Sequence, residues 1–225
     1  MKNYYALFTD QSGLNGVPIF LDARLWERIP EDPMAPVTKE YDYDWLKPIP
    51  RYEKVIMPDT LNLVVKAPKV NFDYYWFRSG FIVSEAMKNV IDQFNTSYVS
   101  SSLHVVSNQL KKNSEKLYYF IRFYSSFQAV DYDLSKFDAM LNPDGSYMTI
   151  CDSLWIRKYE KIQFKQKDFS ELFCVNDNIL MSKLFCSETF KIMALQNKLY
   201  GLQFVPLTEL TDHINENRFL KPHLG

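Results

Sequence analysis

Strand-like patterns recur along the whole chain, while helical periodicity surfaces in two places. Tyr4 to Phe8 sets Tyr and Leu among smaller residues and predicts a strand at a sheet edge. Phe72-Asp73-Tyr74-Tyr75-Trp76-Phe77 is built from strand formers. Leu117 to Tyr124 is a continuous apolar and aromatic run that reads as a buried strand. Val130-Asp131-Tyr132-Asp133-Leu134 alternates strictly and predicts a half-buried strand. Tyr147 to Ile150 and Leu154 to Ile162 predict a strand and its continuation, and Leu202-Gln203-Phe204-Val205-Pro206 a short final one. Asn142-Pro143-Asp144-Gly145 is a turn, because Pro presets φ and Gly supplies the left-handed conformation.

The first helix is predicted after Ser84-Glu85. Met87, Val90, Ile91 and Phe94 fall at i, i+3, i+4, i+7 and make one apolar face. Ser84 suits the N-cap and Glu85 the positive end of the helix. The second follows Ser187-Glu188, with Phe190, Met193, Ala194 and Leu195 at helical spacing and Gly201 expected to end it. The two starts echo one another: Phe81-Ile82-Val83-Ser84-Glu85-Ala86-Met87-Lys88 resembles Leu184-Phe185-Cys186-Ser187-Glu188-Thr189-Phe190-Lys191. Strand, N-cap and helix is a common unit, so shared capping chemistry accounts for the echo, which is too short to predict a duplicated domain.

Together these elements predict an α+β fold, with a mixed or antiparallel sheet and a few amphipathic helices. Seven of the 11 prolines lie between Pro30 and Pro68, which disfavours long helices there. Residues 1–70 are expected to form a Pro-rich strand and turn region packed on the core, and 71–225 an α+β domain; the alternative is one continuous domain over 1–225.

The 225 residues are 47% hydrophobic and 24% charged, enough apolar content to build a core and to exclude disorder of the whole chain. Only 6 Gly argues against a function resting on Gly-rich phosphate loops. Lys+Arg of 26 against Asp+Glu of 27 gives −1, with no overall basic excess to draw the chain onto nucleic acid or an anionic membrane. No apolar run approaches the ~18 residues that span a bilayer. The first ten residues lack the apolar run and cleavage site of a secretory signal. Cys151, Cys174 and Cys186 are too few and irregular for a disulfide framework, which fits a reducing cytoplasm. Cys174 and Cys186 lie in apolar surroundings and are expected in the core.

No metal or catalytic motif emerges. His104, His213 and His223 sit in no His-Glu-x-x-His or Cys-x-x-Cys arrangement, and His104 reads as an alternating strand residue. Asp131 and Asp133 would share one strand face, where two carboxylates can hold a cation or share a proton, or else discourage further pairing at an edge. Arg157, Lys158, Lys161, Lys165 and Lys167 with Glu160 give 5 − 1 = +4, interleaved with Trp155, Tyr159 and Phe164. Such a run suits single-stranded nucleic acid, and more commonly forms a solvated face.

Glu171-Leu172-Phe173-Cys174 through Leu180, then Ser187-Glu188-Thr189-Phe190-Lys191, then Leu199-Tyr200-Gly201-Leu202-Gln203-Phe204-Val205-Pro206, resemble the C-terminal region of bacterial polymorphic-toxin immunity proteins (a DUF1629-like immunity family). The Tyr-rich opening strand and Val130 to Ser135 are similar too. The resemblance implies an α+β fold and a non-enzymatic, cytoplasmic protein that binds and neutralises a cognate toxin by occluding it. Charge balance and motif spacing add the expectation of no cofactor, no metal, and no nucleic-acid or membrane partner. Toxins that act on nucleic acid carry basic clefts, so an acidic, aromatic surface suits the inhibitor. From Glu27 to Leu46 two bases and six acids give 2 − 6 = −4. Within this stretch Tyr41, Asp42, Tyr43, Asp44 and Trp45 are the expected partner-binding segment, since Tyr and Trp are favoured interface anchors. The competing readings are an adaptor or scaffold for a partner unrelated to toxins, and a hydrolase using Asp131, Asp133 and a His.

Overall fold

The computed structural model describes residues 2–10, 17–18, 20–35, 43–46, 54–67, 69–150, 152–166 and 168–217. Among them are sixteen strands and three short α-helices, so the α+β expectation holds with strand in the majority. Two compact units emerge. One joins Met1–Leu7, Ser126–Lys191 and Phe204–Gly225; the other joins Phe8–Ser125 and Ile192–Gln203.

The second unit is built on a seven-stranded mixed sheet. Its order is β2 (Ala23–Trp26), β3 (Thr60–Val65), β6 (Tyr98–Ser107), β8 (Tyr118–Phe123), β5 (Gly80–Ser84) and β4 (Tyr74–Phe77), with β7 (Lys112–Asn113) paired to β6. β3 and β6 run parallel; the other pairs are antiparallel. β6 alternates from residue 100: Ser101, Leu103, Val105 and Ser107 point inward while Ser100, Ser102 and His104 are exposed. β5 is buried throughout, because it lies inside the sheet and helix α1 (Glu85–Ile91) packs on it. The core gathers Leu25, Trp26, Leu61, Leu63, Phe72 and Phe120. Gly80 is required where it stands: a Cβ would come within 2.6 Å of the Ile121 carbonyl oxygen.

The first unit carries the sheet β16 (Leu202–Pro206), β1 (Tyr4–Thr9), β15 (Leu184–Ser187), β14 (Leu172–Val175), β9 (Ser126–Phe127), with β9 and β14 parallel. β1 is therefore an interior strand and not the expected edge: its neighbour β16 comes from the far end of the chain, beyond the reach of local pattern. Tyr4, Phe169, Phe173 and Phe185 form a chain of ring contacts at 4.9 to 5.5 Å. A two-stranded ribbon joins β10 (Lys136–Ala139) to β13 (Ile156–Lys161), and a smaller hairpin joins β11 (Thr149–Ile150) to β12 (Ser153–Leu154). The strand expected over Val130 to Leu134 reduces to one bridge, Val130 to Phe164, followed by a turn. The Asp131 carboxylate accepts from Leu134 N at 3.2 Å, and Ser135 Oγ donates to the Asp131 carbonyl at 2.6 Å. This local side-chain chemistry outcompetes the ladder.

Both Ser-Glu helix starts cap as expected: Ser84 Oγ accepts from Met87 N at 3.2 Å and Ser187 Oγ from Phe190 N at 3.3 Å. Met87, Val90 and Ile91 are buried, while Phe94 lies past the end of α1. Helix α2 (Glu188–Gln196) buries Phe190 and Ala194 and leaves Leu195 exposed. It ends five residues before Gly201. Lys198 N bonds Leu195 O at 3.0 Å and Leu199 N bonds Ala194 O at 3.1 Å, with Lys198 in the left-handed region at φ 53°. This is a Schellman end built on a lysine. Lys198→Gly is expected to stabilise the chain by about 1 kcal/mol, measured as a higher Tm, since Gly removes the Cβ cost of that conformation.

The echo between the two helix starts extends much further than capping. Ser84 pairs with Tyr118 and Ser187 with Tyr4; Val83 pairs with Tyr119 and Cys186 with Tyr5. Tyr74 pairs with Val83 and Leu172 with Cys186. Glu85 N bonds Leu117 O and Glu188 N bonds Asn3 O, each at 3.1 Å. Each Ser hydroxyl donates to the acid that precedes the outer strand, Asp73 or Glu171, and that acid pairs with a lysine, Lys116 at 2.6 Å or Lys2 at 2.9 Å. The helix lysine lies over the second Tyr in both, Lys88 on Tyr119 and Lys191 on Tyr5. The strand orders β6-β8-β5-β4 and β16-β1-β15-β14 correspond one to one. The chain thus holds the same strand–helix module twice. In the second module the strand equivalent to β8 is β1, which comes first along the chain instead of last.

Candidate functional site

The expected partner segment begins at residues outside those described, Tyr41 and Asp42. Tyr43 precedes a 3₁₀ turn over Asp44–Leu46, closed by Leu46 N to Tyr43 O at 3.0 Å. Aromatic, charged and hydroxyl side chains fasten this turn. The Trp45 ring stacks on Tyr43 at 5.1 Å and meets Phe120 edge-on at 5.9 Å. Its Nε1 donates to Glu27 Oε1 at 2.7 Å, and Tyr43 Oη accepts from Glu27 N at 3.2 Å. Arg122, buried on β8, donates from its guanidinium to the Trp45 carbonyl, and Ser79 Oγ donates to the Leu46 carbonyl at 2.9 Å. Trp45 is consequently a core residue, 5% exposed; Tyr43 is half-buried and Asp44 exposed.

A shallow open groove of about 340 Å³ lies beside the turn, lined by Trp26, Glu27, Arg28, Ile29, Pro30 and Tyr43. Ile29 is 44% exposed there, an aliphatic side chain left in water on a charged rim. Over residues 27–32 and 43–46 the exposed acids are Glu27, Glu31, Asp32 and Asp44 and the exposed base is Arg28, so 1 − 4 = −3. The surface offers hydrogen-bond acceptors, a ring edge and a small apolar floor. This equips it for recognition and supplies no nucleophile and base in hydrogen-bond reach.

The other sequence candidates do not converge. Asp131 is spent on its turn and Asp133 is exposed. His104 is exposed on β6; His213 sits half-buried in helix α3 (Leu210–Asn217), where burial and then Lys183 hold its imidazole below the ordinary range. His223 and Lys167 lie outside the described residues. Of the basic run, Arg157, Lys158, Lys161 and Lys165 are exposed, but Tyr159 is buried, Phe164 is half-buried, and Trp155 is the exposed ring. Among the described residues no three His, Cys, Asp or Glu side chains gather as a metal site. Cys174 and Cys186 are buried free thiols, and burial pushes Cys186 well up; Cys151 lies outside the described residues.

Two buried carboxylates escaped the sequence reading. Asp73 is 3% exposed and accepts from Ser84 Oγ, Lys116 Nζ and Tyr200 N. Asp177 is fully buried and accepts from Tyr159 Oη at 2.6 Å, Tyr132 Oη at 3.0 Å, Ile179 N at 2.9 Å and Leu180 N at 3.1 Å. Their only signal is an acid set in or just after an apolar run. Both have every contact one expects of a structural acid.

Burial, then the Asp177 charge, pushes the Tyr159 and Tyr132 phenols up, and burial pushes Tyr118 up to about 12. Folded values above the unfolded one near 10 mean that this stability is complete below about pH 10 and lost as pH rises through the folded values. Stability is expected to begin falling above about pH 8.5, as the Cys186 thiol ionises in the unfolded chain, and to fall most steeply between about pH 10 and 12, with a smaller alkaline loss in Tyr118→Phe.

Comparison with known proteins adds what the geometry does not state. A family model described as immunity protein 43 (Imm43) matches residues 9–221. No curated protein matches the chain. The chain belongs to the immunity protein 43 family, which places it in the general class that the sequence resemblance pointed to.

Proposed function

We propose, from its place in the immunity protein 43 family, that the chain binds a cognate toxin domain in the cytoplasm of a bacterial producer and neutralises it by occlusion. It does so without catalysis or cofactor. The family match over residues 9–221 carries this reading. The occluding surface we assign to Tyr41, Asp42, Tyr43, Asp44 and Trp45 together with the groove beside Tyr43. Trp45 serves as the peg that holds the turn, while Tyr43 and Asp44 face the partner. The local −3 suits a basic toxin surface, and steering by complementary charge speeds capture at low salt. A preorganised turn costs little conformational entropy on binding.

Charge reversal at Asp42 and Asp44 together is expected to weaken toxin binding by more than about tenfold, with the loss largest at low ionic strength. Titration calorimetry at two salt concentrations measures it. Unchanged affinity would place the contact elsewhere on the chain.

A further inference from the structure

Beyond helix α3, the repeated modules leave residues 17–65 and 126–170 outside them. The first carries the acidic turn. The second carries the β10–β13 ribbon, and it has features that its own unit does not use. Every exposed large hydrophobic residue of the first unit, among those described, falls in it: Leu134 at 62%, Leu141 at 55%, Tyr147 at 54% and Trp155 at 40%. Backbone hydrogen bonds gather several at one end. Met140 N bonds Trp155 O, Trp155 N bonds Met148 O and Met148 N bonds Met140 O, each at 2.9 Å, and Leu141 bridges Tyr147.

The ribbon's inward side and outer edge are occupied. Ile156 and Tyr159 are buried, and the free edge of β13 is closed by side chains: Asn178 exchanges two hydrogen bonds with Ile156, Thr211 accepts from Ile162 N, and Asn215 donates to Tyr159 O. The outward side has no such cover among the described residues. It presents Lys136, Arg157, Lys158 and Lys161 against Asp138 and Glu160, so 4 − 2 = +2. Asp138 pairs with Arg157 at 3.5 Å. Lys136 stands directly opposite Lys161 in the register, and neither has an ion pair among the described residues. Like charges facing across a strand pair are unfavourable, and an incoming carboxylate relieves them.

We propose that this outward face, from Trp155 to Lys161 with Leu141 and Tyr147 at its end, docks an acidic surface of the toxin polypeptide. The proposal rests on the toxin-binding reading above. Trp, Tyr and Met are the residue types enriched in interface cores, and the lysines form a complementary rim. A second copy of this chain meeting the same face would repeat the Lys136–Lys161 repulsion. Aliphatic Leu141 and the carboxylates of Asp138 and Glu160 fit a protein better than a phosphate backbone.

The test uses the full chain produced together with the toxin polypeptide whose toxicity it relieves. A photo-crosslinking amino acid at Trp155 is expected to give an adduct with the toxin, in a peptide with more Asp and Glu than Lys and Arg. Lys158→Glu with Lys161→Glu is expected to weaken the complex by about tenfold or more. Lys161→Glu sets a carboxylate opposite Lys136 while Lys158→Glu sets one opposite Asp138, so the two changes offset and Tm is expected to stay near the parent's, which separates lost binding from lost fold. Toxin held equally by variant and parent, with no adduct, overturns the proposal and leaves toxin binding standing. A parent that neither holds nor relieves any toxin overturns the toxin reading, and this proposal with it. Binding of a single-stranded oligothymidylate that the double variant loses overturns it in favour of a nucleic-acid surface.

Discussion

Asp177→Ala is expected to lower stability by about 3–5 kcal/mol, read as a shift of the urea midpoint with little change in slope. The carboxylate is fully buried, and four donors converge on it: two phenols and the backbone amides of residues 179 and 180. Alanine leaves all four without that acceptor in a buried site. Each buried donor so stranded costs about 1–3 kcal/mol, less than additively because the loop relaxes. Against a total stability of about 5–15 kcal/mol, the loss is a large fraction. Asp177→Asn keeps the shape and one good acceptor but turns an amide toward other donors, so it falls between the two. A loss under about 1 kcal/mol for alanine would mean that the phenols and amides find other partners.

The second large effect separates two residues that occupy the same position in the repeated module. Asp73→Ala is expected to cost about 3–5 kcal/mol, since it strands Lys116, the Ser84 hydroxyl and the Tyr200 amide around a buried site. Glu171→Ala removes the equivalent acid, which faces solvent more: its side chain is 30% exposed against 4% for Asp73. Its ion pair with Lys2 is a surface pair, so a cost of about 1 kcal/mol or less is expected. Thermal unfolding of the two variants side by side measures the ratio. Equal losses would show that the module's wiring, and not burial, sets the energy.

What was legible in the sequence was local. Ser84 and Ser187 announced their helices because a cap is settled within three residues, and Leu202–Pro206 was readable as a strand from its own composition. The Val130 to Leu134 alternation misled because Asp131 closes its own turn, a competition that periodicity does not weigh. The interior position of β1 could not be read, since its neighbours β15 and β16 lie more than half the chain away. The same distance hid the module. Its two helix starts look alike in sequence, but the shared register is carried by Tyr118-Tyr119 in one and Tyr4-Tyr5 in the other, on opposite sides of the helices in chain order. Trp45 illustrates the limit for the site: an aromatic in an acidic stretch reads as a surface anchor, whereas Phe120 and Arg122 beneath it draw the ring inward and leave Tyr43 and Asp44 for contact.

On the proposed reading the chain neutralises a toxin by holding it. An affinity pull-down of the tagged chain from its native host, with mass spectrometry of what stays bound, tests it most directly. One large protein is expected, whose C-terminal domain kills cells when made alone and is tolerated when this chain is made with it. Recovery of nothing, or of a partner that is harmless on its own, would contradict that reading.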